Sequence, residues 1–288
     1  MRKSHEILSS VDKARKAALI VLLSILAVVA IFPVVYITLG SFKSRTELLI
    51  GGANIFPSVF HFENYVNAWK QANFAIYTGN SIIIASGVMI LSLFFSTMAG
   101  YVFSRTDFPG KKLIFGTFVM FLFINVGSVS IRPLFELATK THMNRSLISV
   151  ILFSAGMGQA TYIFLARGYV NSVPKELDEA SKIDGCSFFG TFWRVIVPVL
   201  QPLIATIALL SFRQGWNEYI LPLVFTMTND KMRPLTVGVN MLKNSGDGAA
   251  SWEIMFAGAT IAVIPMIIVY VSFSKYFMNG STSGAVKG

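Results

Sequence analysis

The sequence predicts an all-α protein that crosses a membrane six times, with both termini on the cytoplasmic side. The first observation is composition, since 54% of the 288 residues are hydrophobic and 13% are charged. Soluble domains carry about 25% charged residues, so this chain has too few charges to cover a surface that faces water. The second and third observations are six long apolar runs and the lysines and arginines between them.

The six predicted spans follow from bilayer thickness, because a hydrocarbon core about 30 Å thick requires about 20 apolar residues in a helix. The segments that qualify are residues 17–42, 81–103, 113–131, 147–169, 195–224 and 253–277. The first run is too long for a secretory signal peptide, and no small-residue cleavage site follows it, so we expect it to be retained. We therefore expect a membrane domain at 17–280, a cytoplasmic N-terminal segment at 1–16 and a cytoplasmic tail at 281–288.

The basic residues set the orientation, because cytoplasmic loops of membrane proteins carry excess lysine and arginine. If the N-terminus is cytoplasmic, the cytoplasmic segments carry more lysine and arginine than the outer segments, although their total length is shorter. The net charge of +10 is spread between apolar blocks, which argues against a nucleic-acid-binding patch. This orientation places the connection between the fourth and fifth spans in the cytoplasm.

That connection, residues 174–202, is unusually polar: PKELDEASKIDGCSFFGTFWRVIVPVLQP. Pro174 suits the first turn of a helix, and the acidic residues after it complement the positive end of the helix dipole. Gly185 is expected to end this helix, of about ten residues, in the left-handed conformation. One predicted face carries small residues that would let a partner approach closely, and it consists of Leu177, Ala180, Ser181 and Asp184.

A second amphipathic segment, SFFGTFWRV, follows at once, and Pro198 and Pro202 mark the start of the fifth span. Together the two segments predict a helix–turn–helix on the cytoplasmic membrane surface. On residue chemistry alone, a helix that only anchors a loop at the interface is an equally good interpretation.

The same residues resemble the EAA motif of permease subunits of ATP-binding-cassette (ABC) importers. That motif reads Glu-Ala-Ala, three residues, Gly, nine residues, then Ile-x-Leu-Pro. This chain has Glu179, Ala180 and Ser181, then Gly185, then nine residues and VIVP at 195–198. Ser181 and the valines are mild departures, and the run PKELDEASKIDG is close to the form found in the carbohydrate branch.

Further elements extend the resemblance over essentially the whole chain. They are FENYVNAW at 62–69, WNEY at 216–219, LTVGVNML at 235–242 and the C-terminal GSTSGAVKG. All of them resemble the carbohydrate branch, in particular the MalG-like subunits of maltose transporters.

The resemblance implies one of two different membrane-spanning subunits of a carbohydrate importer, for an oligosaccharide, in the cytoplasmic membrane of a prokaryote. Its partners would be a homologous permease, two ATPase subunits and an extracytoplasmic sugar-binding protein. ATP and magnesium would bind the ATPase subunits, since this chain lacks a G-x-x-x-x-G-K-[ST] phosphate-binding loop and is expected to bind no cofactor and to be no enzyme. The tail at 281–288 would reach the interface between the ATPase subunits, unless it is a disordered end.

The EAA region would be a coupling helix that transmits ATPase closure to the spans. The implied coupling residues are Glu176, Leu177, Glu179, Ala180, Ser181, Ile183, Asp184 and Gly185. We expect Glu179 to pair with a basic group of the ATPase.

Polar residues of the fifth span are candidates for the translocation path, because ionisable groups in a membrane usually face helix-bundle interiors or cavities. Aromatic rings there can stack on the apolar faces of sugars. The candidates are Arg213, Gln214, Trp216, Asn217, Glu218 and Tyr219. An internal Arg–Glu pair that only packs helices, or an aromatic belt at the interface, is the alternative.

Small and polar residues also interrupt two other spans. Asn125, Gly127 and Ser128 lie in the third span, and SAGMGQAT at 154–161 lies in the fourth. Such residues favour close helix packing, with a path-lining role as the alternative. Three scattered histidines and a single cysteine, Cys186, predict no metal site, disulfide or catalytic site.

Other functions stay open at this point. One is an ABC importer permease for a non-sugar solute. Another is a self-sufficient secondary transporter, which would show an internal repeat with broken helices in both halves. A membrane enzyme would require a converging nucleophile and base, or metal ligands. The sequence shows no second copy of the EAA region and no such cluster.

Overall fold

The structure is a computed structural model that describes residues 2–50, 54–71, 73–124, 127–242 and 251–285. These residues form helices and connecting segments, in agreement with the predicted all-α class. The chain forms two compact units. One contains Met1–Gln71 and Leu242–Ile261, and the other contains Ala72–Met241 and Ala262–Gly288.

The helices follow one another without an intervening strand in the described part of the chain. In order they are α1 (Arg2–Gly40), α2 (Arg45–Ile50), α3 (Glu63–Gln71), α4 (Phe74–Arg105), α5 (Lys111–Phe121), α6 (Ile131–Lys140), α7 (Leu147–Ser172), α8 (Glu176–Ile183), α9 (Phe188–Thr191), α10 (Val197–Val199), α11 (Gln201–Asn217), α12 (Ile220–Phe225), α13 (Leu235–Met241) and α14 (Trp252–Ala285). A π-helical segment, Phe192–Ile196, joins α9 to α10.

Four of the described helices are long and apolar enough to cross a membrane: Arg15–Gly40, Phe74–Arg105, Leu147–Ser172 and Trp252–Phe273. They correspond to the first, second, fourth and sixth predicted spans. A fifth span results if Phe188–Val199 and Gln201–Asn217, which meet at an 82° bend, count as one. Pro198 and Pro202 flank this bend, and neither has a backbone N–H to continue a helical ladder.

The third and fifth predicted spans therefore differ from single continuous helices. In the third, α5 has 11 residues, and Gly127 adopts a left-handed φ of 45° before α6 begins. Asn125, singled out in the sequence, lies outside the described residues. In the fifth, residues 195–224 are divided among the end of the π-helical segment, α10, α11 and α12. The six-span topology and the cytoplasmic termini stay predictions.

Helices α4 and α7 run parallel in the core of the second unit. A Cβ added to Gly100 would lie 2.5 Å from the Cβ of Ala166, and one added to Gly87 would lie 2.8 Å from Cδ1 of Ile151. The absence of a side chain at these two positions of α4 is what allows the close approach. Helix α11 runs antiparallel to α4, because its C-terminal Gly215 contacts the N-terminal half of α4.

The two ends of this core carry different connections. At one end, the C-termini of α4 and α7 meet, and Ser104 Oγ donates a 2.6 Å hydrogen bond to Asn171 Oδ1. At the other end, the side-chain amide of Asn80 donates to the carbonyls of Lys231 and Arg233, at 2.8 and 2.9 Å. The connection from α7 through α8 to α11 therefore lies at the opposite end from α13.

The first unit contains the end of α1 and the segment after it. The amide of Asn64 donates 2.9 Å hydrogen bonds to the carbonyls of Ser41 and Lys43. Phe42 packs against the rings of Phe60 and Phe62, with centroids 5.5 and 5.3 Å away. The apolar window of α1 itself is wholly exposed, as expected for a helix that faces lipid or a partner.

Candidate functional site: coupling helix and membrane cavity

Helix α8 forms from the acidic segment that the sequence singled out. It covers eight residues, Glu176–Ile183, and is slightly shorter than expected because Pro174 lies outside it. Gly185 ends it with a φ of 80°, as predicted. Cys186 N donates to the Ser181 carbonyl at 2.9 Å, and Gly185 N donates to the Lys182 carbonyl at 3.0 Å. This is a complete Schellman motif, which requires the left-handed residue at Gly185.

The side of α8 that faces its own chain carries Asp178 and Ser181, which are 7% and 4% exposed. Ser181 Oγ is 2.7 Å from Thr191 Oγ1. Ala180 and Asp184 are exposed instead. Of the expected common face, Ser181 contacts the chain's own second segment and Leu177 is half-buried, so only Ala180 and Asp184 are open to a partner. Their contact with a partner stays a prediction.

The outer side of α8 is open to a partner. Ile183 is 87% exposed, which is unusual for a large apolar side chain at a polar end of the molecule. Its exposed neighbours on α8 and in the cap are Glu176, Glu179, Ala180, Asp184 and Gly185. Six of the eight predicted coupling residues thus lie on a surface that the chain does not cover.

Asp178 anchors α8 to the end of α4. Its Oδ2 accepts a 2.9 Å hydrogen bond from Arg105 Nε, and its Oδ1 accepts a 2.7 Å bond from Tyr101 OH. Arg105 Nη2 also donates to the Val173 carbonyl at 2.7 Å. The Arg105 and Asp178 side chains are only 6% and 11% exposed. Charge-assisted bonds of this kind are short and strong, so α8 and α4 form one rigid junction.

Sequence reasoning missed this anchor. The sequence presents Asp178 only as one of the acids that follow Pro174, and its partners lie 77 and 73 residues earlier in the chain. The available signal was an arginine at the C-terminal end of one apolar span, together with an acid in the polar connection after the fourth predicted span.

The segment after α8 connects it to the membrane core. Ser187 caps α9 by accepting a 3.2 Å hydrogen bond from Gly190 N. Phe188 and Phe192 pack on Tyr101, with ring centroids 4.9 and 5.2 Å away. Trp193 is half exposed, as suits a residue at a membrane interface. Short π-helical stretches such as this one are frequent at functional sites.

A cavity of about 650 Å³ lies within the second unit, among α5, α6, α7 and α12. Among the described lining residues, the polar side chains are Ser130, Gln159 and Glu218. The apolar lining includes the rings of Phe118, Phe121 and Phe153. Among the described residues that line this cavity, none is lysine, arginine or histidine.

Gln159 lies midway along α7, and both polar atoms of its side chain are buried without a hydrogen-bond partner in the described structure. Glu218 occupies the break between α11 and α12, with extended dihedrals of φ −61° and ψ 128°. Its Oε1 accepts a long hydrogen bond of 3.4 Å from Leu221 N. Gln159 was part of the SAGMGQAT segment, but the sequence did not single it out.

The glycines of that segment divide between the two roles that the sequence left open. A Cβ added to Gly158 would collide with the side chain of Gln214, so this glycine serves helix packing. A Cβ added to Gly156 would meet nothing within 4 Å, and this glycine lines the cavity.

Of the six predicted path residues, only Glu218 lines the cavity. Gln214 accepts a 2.8 Å hydrogen bond from Tyr162 OH and donates at 2.5 Å to the Ser154 carbonyl, so it joins α11 to α7. Trp216 is 3% exposed and stacks on Phe212 at 5.9 Å. Gln214 and Trp216 therefore take part in helix packing, and a role for them in the translocation path stays a prediction.

The other three candidates lie elsewhere on the second unit. Arg213 and Asn217 are exposed, one turn apart on α11, as their spacing predicts. Tyr219 OH lies 3.2 Å from Asn240 Oδ1, to which it donates. Arg213 and Glu218 do not form the internal ion pair that was the alternative. Among the described residues, no group of three or more histidine, cysteine, aspartate or glutamate side chains is arranged to hold a metal ion.

Comparison with known proteins identifies the family of this helical arrangement. The family described as binding-protein-dependent transport system inner membrane component matches residues 74–280. The chain belongs to this family. The resemblance seen in the EAA motif is thus confirmed, and the permease is a membrane component of a transport system.

Relatives of this permease include sugar transport proteins. The arabinooligosaccharides transport system permease protein AraQ of Halalkalibacterium halodurans is 33% identical, over 91% of this chain and 93% of AraQ. AraQ of Bacillus subtilis is 30% identical over 95% and 96% of the two chains. The melibiose/raffinose/stachyose import permease MelC of Bacillus subtilis is 31% identical over 81% and 84%.

A solved structure has the same fold. It is a bacterial ABC transporter involved in the import of the acidic polysaccharide alginate, and it matches the permease with a TM-score of 0.78. The match covers 92% of this chain and 97% of that chain, at 24% identity.

Proposed function

We propose that this permease is one of two different membrane-spanning subunits of an ATP-driven, binding-protein-dependent ABC importer of oligosaccharides and forms half of the translocation path. The observation that carries this proposal is the relatives' transport of oligosaccharides, with alignments that cover 81–95% of the chain. The folded EAA segment supports it, because a coupling helix must be exposed on one side and fixed to the spans on the other. Helix α8 has both properties.

The coupling mechanism follows from the two sides of α8. The outer surface, with Ile183 exposed between acidic residues, would insert into a groove of the ATPase, and Glu179 would pair with a basic group there. The inner side transmits force, because Asp178 joins α8 to Arg105 and Tyr101 of α4. When ATP closes the ATPase subunits, displacement of α8 would move the end of α4 with it.

The complete transporter would contain a second homologous permease, two ATPase subunits that bind ATP and magnesium, and an extracytoplasmic sugar-binding protein. This chain would cross the bilayer six times with both termini in the cytoplasm and would bind no cofactor itself. The exposed Arg213 and Asn217 would face the path at the boundary with the second permease, and Glu218 would face it from the cavity. The tail at 281–288 would contact the ATPase subunits.

Gentle affinity purification of the tagged chain from its native membrane tests the proposal. We expect one kind of ATPase and a second permease to copurify, and sugar with the binding protein to stimulate ATP hydrolysis. A chain that purifies alone, and transports alone in vesicles, would instead support the secondary-transporter alternative.

Charge reversal on α8 tests the coupling surface. We expect Glu179→Lys to abolish sugar-stimulated ATP hydrolysis while the permease still folds, because Glu179 is exposed. Glu136→Lys is the matched control, since Glu136 is also exposed but lies on α6, near the opposite end of the core. Equal sugar stimulation of ATP hydrolysis in both variants would show that Glu179 is not part of the coupling surface.

A further inference from the structure

Arg167 on α7 is a cation without a carboxylate partner in the part of the chain that the structure describes. Its Cζ lies 3.8 Å from the centroid of the Phe115 ring on α5, which is the geometry of a cation–π contact. Its Nε is buried without a hydrogen-bond partner, whereas its two terminal nitrogens are not buried in this way. Arg105, at the same end of the core, is instead paired with Asp178. The terminal nitrogens of Arg167 are therefore donors that a ligand can reach.

Aromatic packing fixes the position of this guanidinium. The Phe115 ring packs against Phe103 of α4, with centroids 5.5 Å apart. Phe103 is buried and also contacts the ring of Phe118, at 6.1 Å. The guanidinium is thus held between α5 and α7 on a support that includes α4. A planar guanidinium presents its N–H groups in a rigid fork that matches the oxygens of a phosphate group.

The depth of Arg167 matches the head-group region of a bilayer. Arg167 lies five residues before the end of α7, and Phe115 lies four residues after the start of α5. At 1.5 Å per residue, both are about 6–8 Å from the helix ends, and one head-group layer is about 5–7 Å thick. Leu113 on α5 and Phe164 on α7 are 77% and 47% exposed, which suits helix surfaces that contact lipid chains.

The surface around Arg167 carries a surplus of positive charge. Lys112 is exposed and lies three residues before Phe115, on the same face of α5. The pKa of Asp107, the nearby acid, is lowered by a hydrogen bond from Lys111 and its charge, and further by the charge of Lys175.

The start of α5 adds to this field. The helix has no acidic residue in its first turn and no side-chain cap, so the positive end of its dipole is not neutralised. The exposed acids of α8 belong to the outer side of that helix, where the ATPase is proposed to bind. An anion between α5 and α7 would therefore meet a predominantly positive surface.

We propose that the surface between α5 and α7, at the α8 end, binds the phosphate of an anionic phospholipid, with Arg167 as its main ligand and Lys112 as a second one. Basic sites between membrane helices are known to bind anionic head groups. This inference goes beyond the proposed function, because it requires only a membrane component, which the family establishes. In the predicted orientation the lipid belongs to the cytoplasmic leaflet. It would hold α5 against α7, close to the junction of α4 and α8.

The test uses the full chain, purified in detergent with the subunits that copurify. Equilibrium binding is measured for fluorescent phosphatidylglycerol and phosphatidylcholine, which carry the same acyl chains and differ in head-group charge. We expect phosphatidylglycerol to bind about tenfold more tightly, because each basic residue near the head group contributes about fivefold. A parallel measurement adds inorganic phosphate, with sodium chloride of equal ionic strength as its control. We expect phosphate to displace no more lipid than the chloride does, since acyl chains contribute to the affinity of the lipid.

Variants then assign the lipid preference to residues. Arg167→Gln should lower the preference for phosphatidylglycerol by about fivefold, because it removes the charge and keeps a polar side chain. Arg132→Gln is the matched control, since it removes the same charge from an exposed position on α6, and it should keep the wild-type preference. Lys112→Gln changes an exposed side chain, so the fold should persist, and it should lower the preference by about twofold or more.

Three outcomes would overturn the inference. In the first, Arg167→Gln, or Lys112→Gln if Arg167→Gln does not fold, shows the same preference as Arg132→Gln. In the second, inorganic phosphate displaces the lipid beyond the chloride control, which would indicate a site for free phosphate. In the third, Arg167→Gln loses a copurifying subunit and keeps its lipid preference, which would indicate a carboxylate of a partner protein. Failure of the sugar-importer proposal would be distinct, because neither sugar nor ATP takes part in this test.

Discussion

The α8 end of the core formed by α4, α7 and α11 and the cavity beside α7 treat buried polar groups in opposite ways. At the α8 end, each oxygen of Asp178 accepts a hydrogen bond, and Arg105 is shared between Asp178 and a carbonyl. In the cavity, the amide of Gln159 has no partner, and Glu218 accepts a bond of 3.4 Å. Satisfied buried groups make a junction rigid, whereas an unpaired buried group is costly to the fold.

The glycines of the core show the same contrast. A Cβ added to Gly100 would collide with Ala166 of α7, whereas a Cβ added to Gly156, which lines the cavity, would meet nothing within 4 Å. The same residue type therefore serves close packing in one region and empty volume in the other. Substitutions that are chemically identical should have different effects in the two regions.

The largest expected effect is at the junction. Asp178→Ala should destabilise the permease by about 3–5 kcal/mol, because it leaves the buried Arg105 guanidinium without its carboxylate. Thermal unfolding of the purified complex would measure this change. Asp184→Ala, at an exposed acid of the same segment, should leave the unfolding temperature unchanged. Equal unfolding temperatures for the two variants would contradict a rigid α8–α4 junction.

The glycine comparison predicts a smaller effect. Gly100→Ala should cost about 1–3 kcal/mol, since the added methyl group would overpack the contact with Ala166. Gly156→Ala should cost nothing and can gain up to about 1 kcal/mol from helix propensity. Thermal unfolding of both variants, side by side, measures the difference. Equal destabilisation would mean that Gly156 is also a packing residue.

The hydrogen bond between Tyr162 on α7 and Gln214 on α11 can be used to test whether Gln214 has a structural or a path-lining role. Tyr162→Phe removes the donor to Gln214 and should cost about 1–2 kcal/mol. Because this pair serves packing, sugar uptake per folded molecule should stay at the wild-type level. Uptake normalised to the amount of folded complex is the measurement. A specific loss of uptake would indicate that Gln214 lines the translocation path, as the sequence predicts.

The smallest effect is expected at an exposed ion pair. Lys111 Nζ lies 2.9 Å from Asp107 Oδ1, and this hydrogen bond, together with the lysine charge, lowers the pKa of Asp107 below its usual 3.8. The contribution of this ion pair to the free energy of unfolding is therefore present above the pKa that Asp107 has in the unfolded chain. It is lost as the pH falls through the lower pKa that Asp107 has in the folded protein. Asp107→Asn should leave the unfolding temperature at pH 7 unchanged, because exposed pairs contribute little. A clear drop in the unfolding temperature of Asp107→Asn at pH 7 that disappears in acid would show that the ion pair contributes more.

Local patterns in the sequence determined the parts of this permease that depend on neighbouring residues. Apolar length predicted four of the long helices, and the acidic run before Gly185 predicted α8 and its left-handed cap. The residue spacing of the EAA motif was sufficient to predict the family. These features depend on backbone sterics, helix dipoles and hydrophobic length, all of which act over a few turns of one helix.

Tertiary contacts alone decided which side of α8 faces the chain, because Asp178 finds its partners on α4, more than 70 residues away. They also decided that Gln214 and Trp216 pack between helices while Glu218 opens into the cavity. Helical periodicity gives the angle between two side chains but not which of them meets another helix. The amide of Gln159 is unpaired because of how α7 packs against its neighbours, and no local sequence pattern carries that information.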